Sequence, residues 1–364
     1  MKVHPKQLEV GCMIIQDVMG KTNQPIIPKN TVVKPIHIEV LQKFLVEEVE
    51  ISHKRADGDS FLPNHEIEEE QINEERAAST INSYFSDHYL DAVQHYKAMF
   101  KHWQAGSLVD ITKVREVIVP LIEEALINKS EVFMLHHFSS KSDYFYHHSV
   151  AVALLSSIVA DKLGYSHGEV IQIGLTGFLS DCGMAKIENH ILTKKGALTN
   201  DEFEEVKKHP TYSYRLLEHI PVLKKGVLLG VLQHHERMDG SGYPIGLHDA
   251  KLHPFGKIVA ATDMYHAMTS ERLYRSKQSP FKVLEELMSD QFGKFDHTIV
   301  QAFINSMVTF TTGTLVRLSN NDIGEIIFME GSLPTRPMIK LQSDNAIIHL
   351  KEHPTLYIEE MVTL

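Results

Sequence analysis

The sequence predicts a mainly α protein, a central helical bundle with a small α/β module before it and a small β module after it. Three observations point there. Between about Ala77 and Phe310 the apolar residues recur at spacings of three and four, the period of an amphipathic helix. Before and after that stretch the spacing shortens to alternating runs broken by Pro, Asn, Asp and Gly, which is how strands and turns read. The composition, 43% hydrophobic and 23% charged over 364 residues, is that of a folded chain and excludes disordered, collagenous and disulfide-scaffold classes.

In the first 55 residues, Gly11–Val18 and Ile26–Val33 are expected as strands, Ile36–Leu45 as a helix and Val49–Ile51 as a further short strand. The following residues 56–105 are acid-rich at their start (HEIEEEQINEER) and are expected to be an acidic helical linker. Residues 106–310 form the helical domain, with helices over Leu108–Ile127, Tyr146–Leu163, Val170–Leu179, Val222–Leu232 and Phe281–Met288. Thr199-Asn-Asp-Glu202 has the form of a capping box that opens a helix. The last unit, 311–364, carries β-type runs at Thr314–Leu318, Gly324–Phe328, Met338–Leu341 and Ile347–Leu350.

The chain has neither a signal peptide pattern nor a run of 18 apolar residues, so a cytoplasmic location without a membrane span is expected. Cys12 and Cys182 are the only cysteines and are expected to stay reduced. A formal net charge of -11 argues against a polymeric nucleic acid partner, while leaving room for one local basic pocket that holds a phosphodiester.

Histidine is where the chemistry gathers. Of the 23 histidines, 13 fall between His136 and His266. His148 shares a helix face with Val152, Leu155 and Val159, so its ring is directed to the core. Asp181 follows the apolar helix Val170–Leu179, on the face of Gly174 and Gly177, where small residues admit a close neighbour. His209 precedes Pro210, which biases it toward a helix end; His234 and His235 close Val222–Leu232; Asp263 begins a stretch after Lys257–Thr262. Imidazole and carboxylate donors converging from five segments of a bundle suit a two-metal site for iron or manganese better than a thiolate zinc site. Such a pair polarises phosphoryl oxygens and supplies hydroxide at neutral pH.

The segment His234-His235-Glu236-Arg237-Met238-Asp239-Gly240-Ser241-Gly242-Tyr243-Pro244 resembles the signature of the HD-GYP family, bacterial phosphodiesterases of cyclic di-GMP within the HD metal-phosphohydrolase superfamily. The resemblance runs over roughly Phe133–Phe310, with His148-Ser149-Val150, Lys208-His209-Pro210 and Asp263–Arg275 matching further family segments. It implies that residues 106–310 are an HD-GYP domain with an HD-type phosphohydrolase bundle, and that the chain cleaves cyclic di-GMP to pGpG or GMP in bacterial signalling. By the same resemblance His148, Asp181 and Asp263 hold one metal ion, and Asp181, His209, His234 and His235 the second. Asp181 is thus the bridge and the catalytic residue. Tyr243 and Pro244 shape the substrate pocket, Gly240 and Gly242 supply unusual backbone angles, and Arg272 clamps a phosphate. Signalling proteins such as diguanylate cyclases, and a second copy in a homodimer, are the protein partners it suggests.

Two positions depart from the family's pattern. The His-Asp pair reads Ser180-Asp181, which removes an imidazole ligand, and Met184 stands where the family commonly has a phosphate-contacting Lys; Lys186 faces elsewhere. Tyr144, with Asp143 beside it, occupies the place of a third-metal Glu, so two metals are expected. His147, His136 and His137 are candidate replacement ligands, His147 being expected as a half-exposed helix residue. Three readings therefore stay open: a phosphodiesterase with weakened activity, an inactive cyclic di-GMP receptor or interaction scaffold, and an HD-type phosphohydrolase of another nucleotide.

Overall fold

The computed structural model describes residues 1–19, 25–44, 46, 48–63, 85–138, 143–194, 196–270, 277–289, 293–308, 310–331 and 333–362. It is mainly α, as the periodicity predicts, with a small sheet system at each end of the chain.

The N-terminal module pairs β1 (Lys2–Val3), β2 (Cys12–Ile14), β5 (Thr31–Val32) and β6 (Val49–Arg55) in the antiparallel order β1-β6-β2-β5, while β3 (Val18–Met19) and β4 (Pro25–Ile27) form a separate ribbon. Helix α1 (Pro35–Lys43) starts with Pro35 in its first turn, where the missing N–H is not needed. Val3, Ile14, Leu41, Val49, Ile51 and Phe61 meet in its core.

The expected linker needs correction. Its second half is α2 (Phe85–Gln104), and Phe85, Tyr89, Ala92, Val93, Tyr96, Phe100 and Trp103 are buried in the main core. That seven-residue stripe buries large aromatic areas, each worth a few kcal/mol, so α2 is a structural member of the bundle. The first half of the linker, residues 64–84, lies outside the described residues.

The bundle continues with α3 (Ile111–Ile127), α4 (Lys129–Phe133), α5 (Tyr144–Lys162) and α6 (His167–Leu179). Asp110 caps α3 by accepting from the N–H groups of Thr112 and Lys113. Helix α5 is buried continuously from His147 to Ala160, which makes it the central rod. It meets α6 closely because a Cβ at Gly177 would lie 2.9 Å from the Val152 carbonyl oxygen. After a 3-10 turn at Cys182–Lys186 come α7 (Asn189–Leu192), α8 (Asn200–Val206), α9 (His209–Leu217), α10 (Lys225–Gln233), α11 (Pro254–Thr269), α12 (Pro280–Met288) and α13 (His297–Met307). The capping box is present: Thr199 N–H donates to Glu202 at 2.6 Å and Glu202 N–H donates to Thr199 at 3.3 Å. Two expectations are revised. Pro210 sits in the first turn of α9, so His209 is at a helix end as expected, but as the first helical residue instead of one outside α geometry. Asp263 lies in the middle of α11, because Lys257–Thr262 and the following stretch are one uninterrupted helix.

The C-terminal sheet runs β10-β9-β8-β7-β11, from β7 (Leu315–Leu318), β8 (Ile323–Phe328), β9 (Met338–Leu341), β10 (Ile347–His349) and β11 (Ile358–Val362). It packs on α12: the tilted rings of Phe281 and Phe310 meet at 5.0 Å between centroids, and Ser279 Oγ donates to the Ile358 carbonyl at 2.7 Å. The edge strand β11 was not anticipated, since its two glutamates hide the alternation.

Candidate metal centre

Five elements aim polar side chains at one buried point. Helix α5 presents His148, the residue after α6 is Ser180 and the next Asp181, α9 opens on His209, α10 ends at His234 and His235, and α11 contributes Asp263. His148, Asp181, His209, His234 and Asp263 are each less than a tenth exposed. Charged and imidazole groups are rarely buried unless paired or ligating, and here they face one another.

The donors fall into two groups that share Asp181. One donor atom from each of Asp181, His209, His234 and His235 lies within 4.8 Å of all the others, and the same holds for His148, Asp181 and Asp263. Asp181 divides its oxygens between them. Oδ1 lies 3.1 Å from His209 Nε2 and 3.6 Å from His234 Nε2, whereas Oδ2 lies 3.7 Å from His148 Nε2. Asp263 Oδ1 is 2.8 Å from His148 Nε2, and its Oδ2 is 3.6 Å from His235 Nδ1.

The backbone has set the imidazole tautomers. His209 Nδ1 is 2.7 Å from the Val206 carbonyl oxygen and His234 Nδ1 is 2.7 Å from that of Val231. A carbonyl only accepts, so each Nδ1 carries the hydrogen and each Nε2 turns its lone pair inward. The two Nε2 atoms are 3.2 Å apart. Two lone pairs at that distance repel unless a cation lies beside them, and oriented imidazoles backed by carbonyls are how metal ligands are held. The nitrogen and oxygen donor set fits divalent ions without any sulfur.

The electrostatics agree. Burial alone would raise the Asp181 carboxyl, but the His209, His234 and His148 rings packed around it hold it well below the usual carboxylate range. Asp263 is likewise depressed, with His235 and His148 overcoming burial. Burial and the neighbouring His234 ring push His235 well below its ordinary value, which keeps it neutral and able to ligate.

The departures take a definite form. Ser180 Oγ donates to the Gly177 carbonyl at 2.8 Å, and its own carbonyl accepts from Ser213 Oγ at 2.7 Å. The hydroxyl proton is therefore committed to its own helix. Met184 packs half-buried against the core, and Lys186 is exposed. His147 is not half-exposed, as the helix face suggested, but fully buried. Its Nε2–H donates to the Ala56 carbonyl at 3.0 Å and Tyr89 OH donates to its Nδ1 at 3.1 Å, so both ring nitrogens are occupied away from the cluster. Burial holds its pKa down to about 4. His136 is turned to the Phe133 carbonyl at 2.8 Å, and the His137 side chain lies outside the described residues. Tyr144 OH and His266 Nδ1 stand 3.0 and 2.9 Å from His148 Nδ1, backing that ligand. Asp143 accepts from Lys97 at 2.9 Å.

The mouth is shaped by the loop after α10. The Tyr243 ring lies over His235 at 4.7 Å between centroids, and Pro244 follows it. Gly240 has the positive φ, +81°, that its lack of a Cβ permits; Gly242 does not, and is needed because a Cβ there would collide with Glu236 and Arg237 backbone. Sequence reading missed Glu236, which organises this loop. Its buried carboxylate accepts from Ile245 N at 2.8 Å, from Gly246 N at 3.0 Å and from Leu247 N at 2.9 Å. The only available signal was its position directly after the double histidine. Arg272 lies outside the described residues.

Residues 128–299 match the HD domain family. A cyclic di-GMP phosphodiesterase of Pseudomonas aeruginosa is 30% identical over 244 residues, 67% of this chain and 59% of that protein. A 3'3'-cGAMP-specific phosphodiesterase of Vibrio cholerae is 29% identical over 192 residues, 51% of this chain and 44% of its own. The chain spans roughly half the length of the curated relatives it matches. The solved structure of an HDG"Y"P protein from Bdellovibrio bacteriovorus aligns over 84% of this chain and 98% of its own, at 14% identity and a TM-score of 0.49. HD phosphohydrolases are metal-dependent, and among the described residues this is where a metal ion can be held.

Proposed function

Because the chain belongs to the HD-GYP family, we propose that it is a metal-dependent phosphodiesterase that hydrolyses cyclic di-GMP to pGpG or GMP. The observation that carries this reading is the pair of donor groups sharing Asp181 beneath the Tyr243 ring. Two divalent ions, iron or manganese by the nitrogen and oxygen donor set, would supply Lewis acidity toward the phosphoryl oxygens and acidify water. His148, Asp181 and Asp263 would hold one, and Asp181, His209, His234 and His235 the other.

The chain's own residues prepare the rest. Val206 and Val231 carbonyls fix the tautomers of His209 and His234, so ligand nitrogens need no reorganisation when substrate arrives. Tyr243 is kept a neutral phenol, since burial and then Asp263 and Asp181 push its hydroxyl up; it can donate a hydrogen bond and offers a flat face to a base. Pro244 borders the pocket, and Arg272 is the proposed phosphate clamp. The substrate reading follows the relatives named for cyclic di-GMP; one named for 3'3'-cGAMP makes that dinucleotide the comparison substrate. Cytoplasmic signalling against a diguanylate cyclase, and pairing of two chains, belong to the same proposal; among the described residues no helix is long and apolar enough to cross a membrane.

A second reading has a specific observation behind it. With Ser180 Oγ bonded to Gly177, the His148 group has three protein donors, which favours a receptor that binds the dinucleotide without cleaving it. Turnover of both dinucleotides by protein purified without oxygen and supplied with Fe(II) or Mn(II) separates the two. Product that disappears in Asp181→Asn supports the enzyme; tight binding without product supports the receptor.

A further inference from the structure

We propose that Lys207 is a phosphate-contacting cation at the mouth of this site and so a determinant of dinucleotide affinity. The inference rests on the cyclic dinucleotide reading given above. Two lysines precede His209, and the structure separates them. Lys208 is held on the outer surface by Glu205 at 2.7 Å, a carboxylate that also accepts from Tyr212. Lys207 is turned inward: its Nζ lies 6.0 Å from the centroid of Tyr243, the ring that covers His235, and 4.9 Å from that of Phe203. Its side chain is 30% exposed.

The surroundings make this position suited to an anion. Lys207 stands two residues from His209, whose Nε2 faces the shared carboxylate, so the ammonium is tethered to the rim of the donor cluster. The faces of Phe203 and Tyr243 hold the aliphatic stem and the charge by cation–π attraction, which restricts the side chain before any ligand arrives. Its ion pair is with Glu204 at 2.6 Å, and Glu204 is 66% exposed. Exposed pairs of that kind are weak, so a phosphodiester displaces Glu204 at little cost. Among the described residues, two other cations near the site are placed differently. Arg237 lies over Phe295 and donates to the Glu236 and His234 carbonyls, and Lys186 is exposed at the end of the turn after Asp181.

The test is equilibrium binding of a non-hydrolysable phosphorothioate analogue of cyclic di-GMP to the full chain loaded with Mn(II), at low and high salt. Lys207→Met is expected to weaken binding about tenfold and to flatten its salt dependence, with Lys207→Arg retaining most of the affinity. Glu204→Gln is expected to leave binding unchanged or tighten it, because it frees the ammonium. A structural ion pair would make Lys207→Met and Glu204→Gln behave alike, and that result, or wild-type affinity in Lys207→Met, overturns the proposal. Absence of binding to the wild type of this analogue and of 3'3'-cGAMP sinks the functional reading itself, and the role of Lys207 with it.

Discussion

His147 and Ala56 meet where the N-terminal module touches the bundle, with the imidazole Nε2–H donating to the Ala56 carbonyl at 3.0 Å. The neighbouring residue on α5 is His148, so the module is fastened one position from a donor of the cluster. His147→Leu keeps the volume and removes both ring hydrogen bonds, leaving the Ala56 carbonyl buried without its partner and the Tyr89 hydroxyl with only the His147 carbonyl at 3.3 Å. The expected loss is about 1–3 kcal/mol in urea unfolding, together with faster proteolysis of the module. Unchanged stability would show that the contact contributes nothing.

Asp181→Asn removes the carboxylate common to both donor groups. An amide presents one weak oxygen donor where two charged ones stood. Bound metal per chain, counted by elemental analysis, is expected to fall below half of the wild-type value and turnover to vanish. Full metal content in this variant would refute the sharing.

Ser180 separates two explanations by a pair of substitutions. Its hydroxyl is spent on Gly177, so Ser180→Ala is expected to leave metal content unchanged and cost no more than about 1.5 kcal/mol. Ser180→His offers the His148 group a further nitrogen, and metal affinity and turnover are expected to rise. Metal loss in Ser180→Ala would instead make the serine a ligand.

Glu236→Gln replaces an acceptor of several N–H groups by a side chain half of which is itself a donor. The loop that carries Tyr243 is then expected to loosen. KM for the dinucleotide should rise about tenfold while metal content stays constant, because the adjacent His234 and His235 are held from α10. Loss of metal in step with affinity would contradict this division.

Both thiols are buried, and burial raises Cys12 and pushes Cys182 up to about 12. At pH 8 neither is ionised enough to react, so labelling by a disulfide reagent is expected to be negligible in the native chain and complete in denaturant. Prompt labelling of either would reveal local opening around it.

The readable parts of this molecule were those where period and chemistry coincide. Val152, Leu155 and Val159 mark α5 and point His148 inward, and the double histidine with its Gly-Tyr-Pro turn announces a donor cluster. That helix α2 is buried in the core was obscured because His88, Asp91, His95, Lys97 and Lys101 interrupt its aromatic stripe, and acid-rich residues stand just before it. The fate of His147 was beyond reach for a different reason: which way a buried polar side chain turns depends on partners such as Ala56, which lies 91 residues away. Glu236 was invisible because its partners are backbone groups, which look alike at every position.

His148 and Asp263 are 2.8 Å apart in space and 115 residues apart along the chain. A contact of that span closes late, after the local helices have formed, because a long loop must be surrendered before the contact returns anything. No fragment shorter than this span brings both residues together. An ion bound there rewards only the completed bundle, and its affinity is added to the stability of the whole domain by mass action. A chain starved of metal would on this account arrive folded but easier to undo.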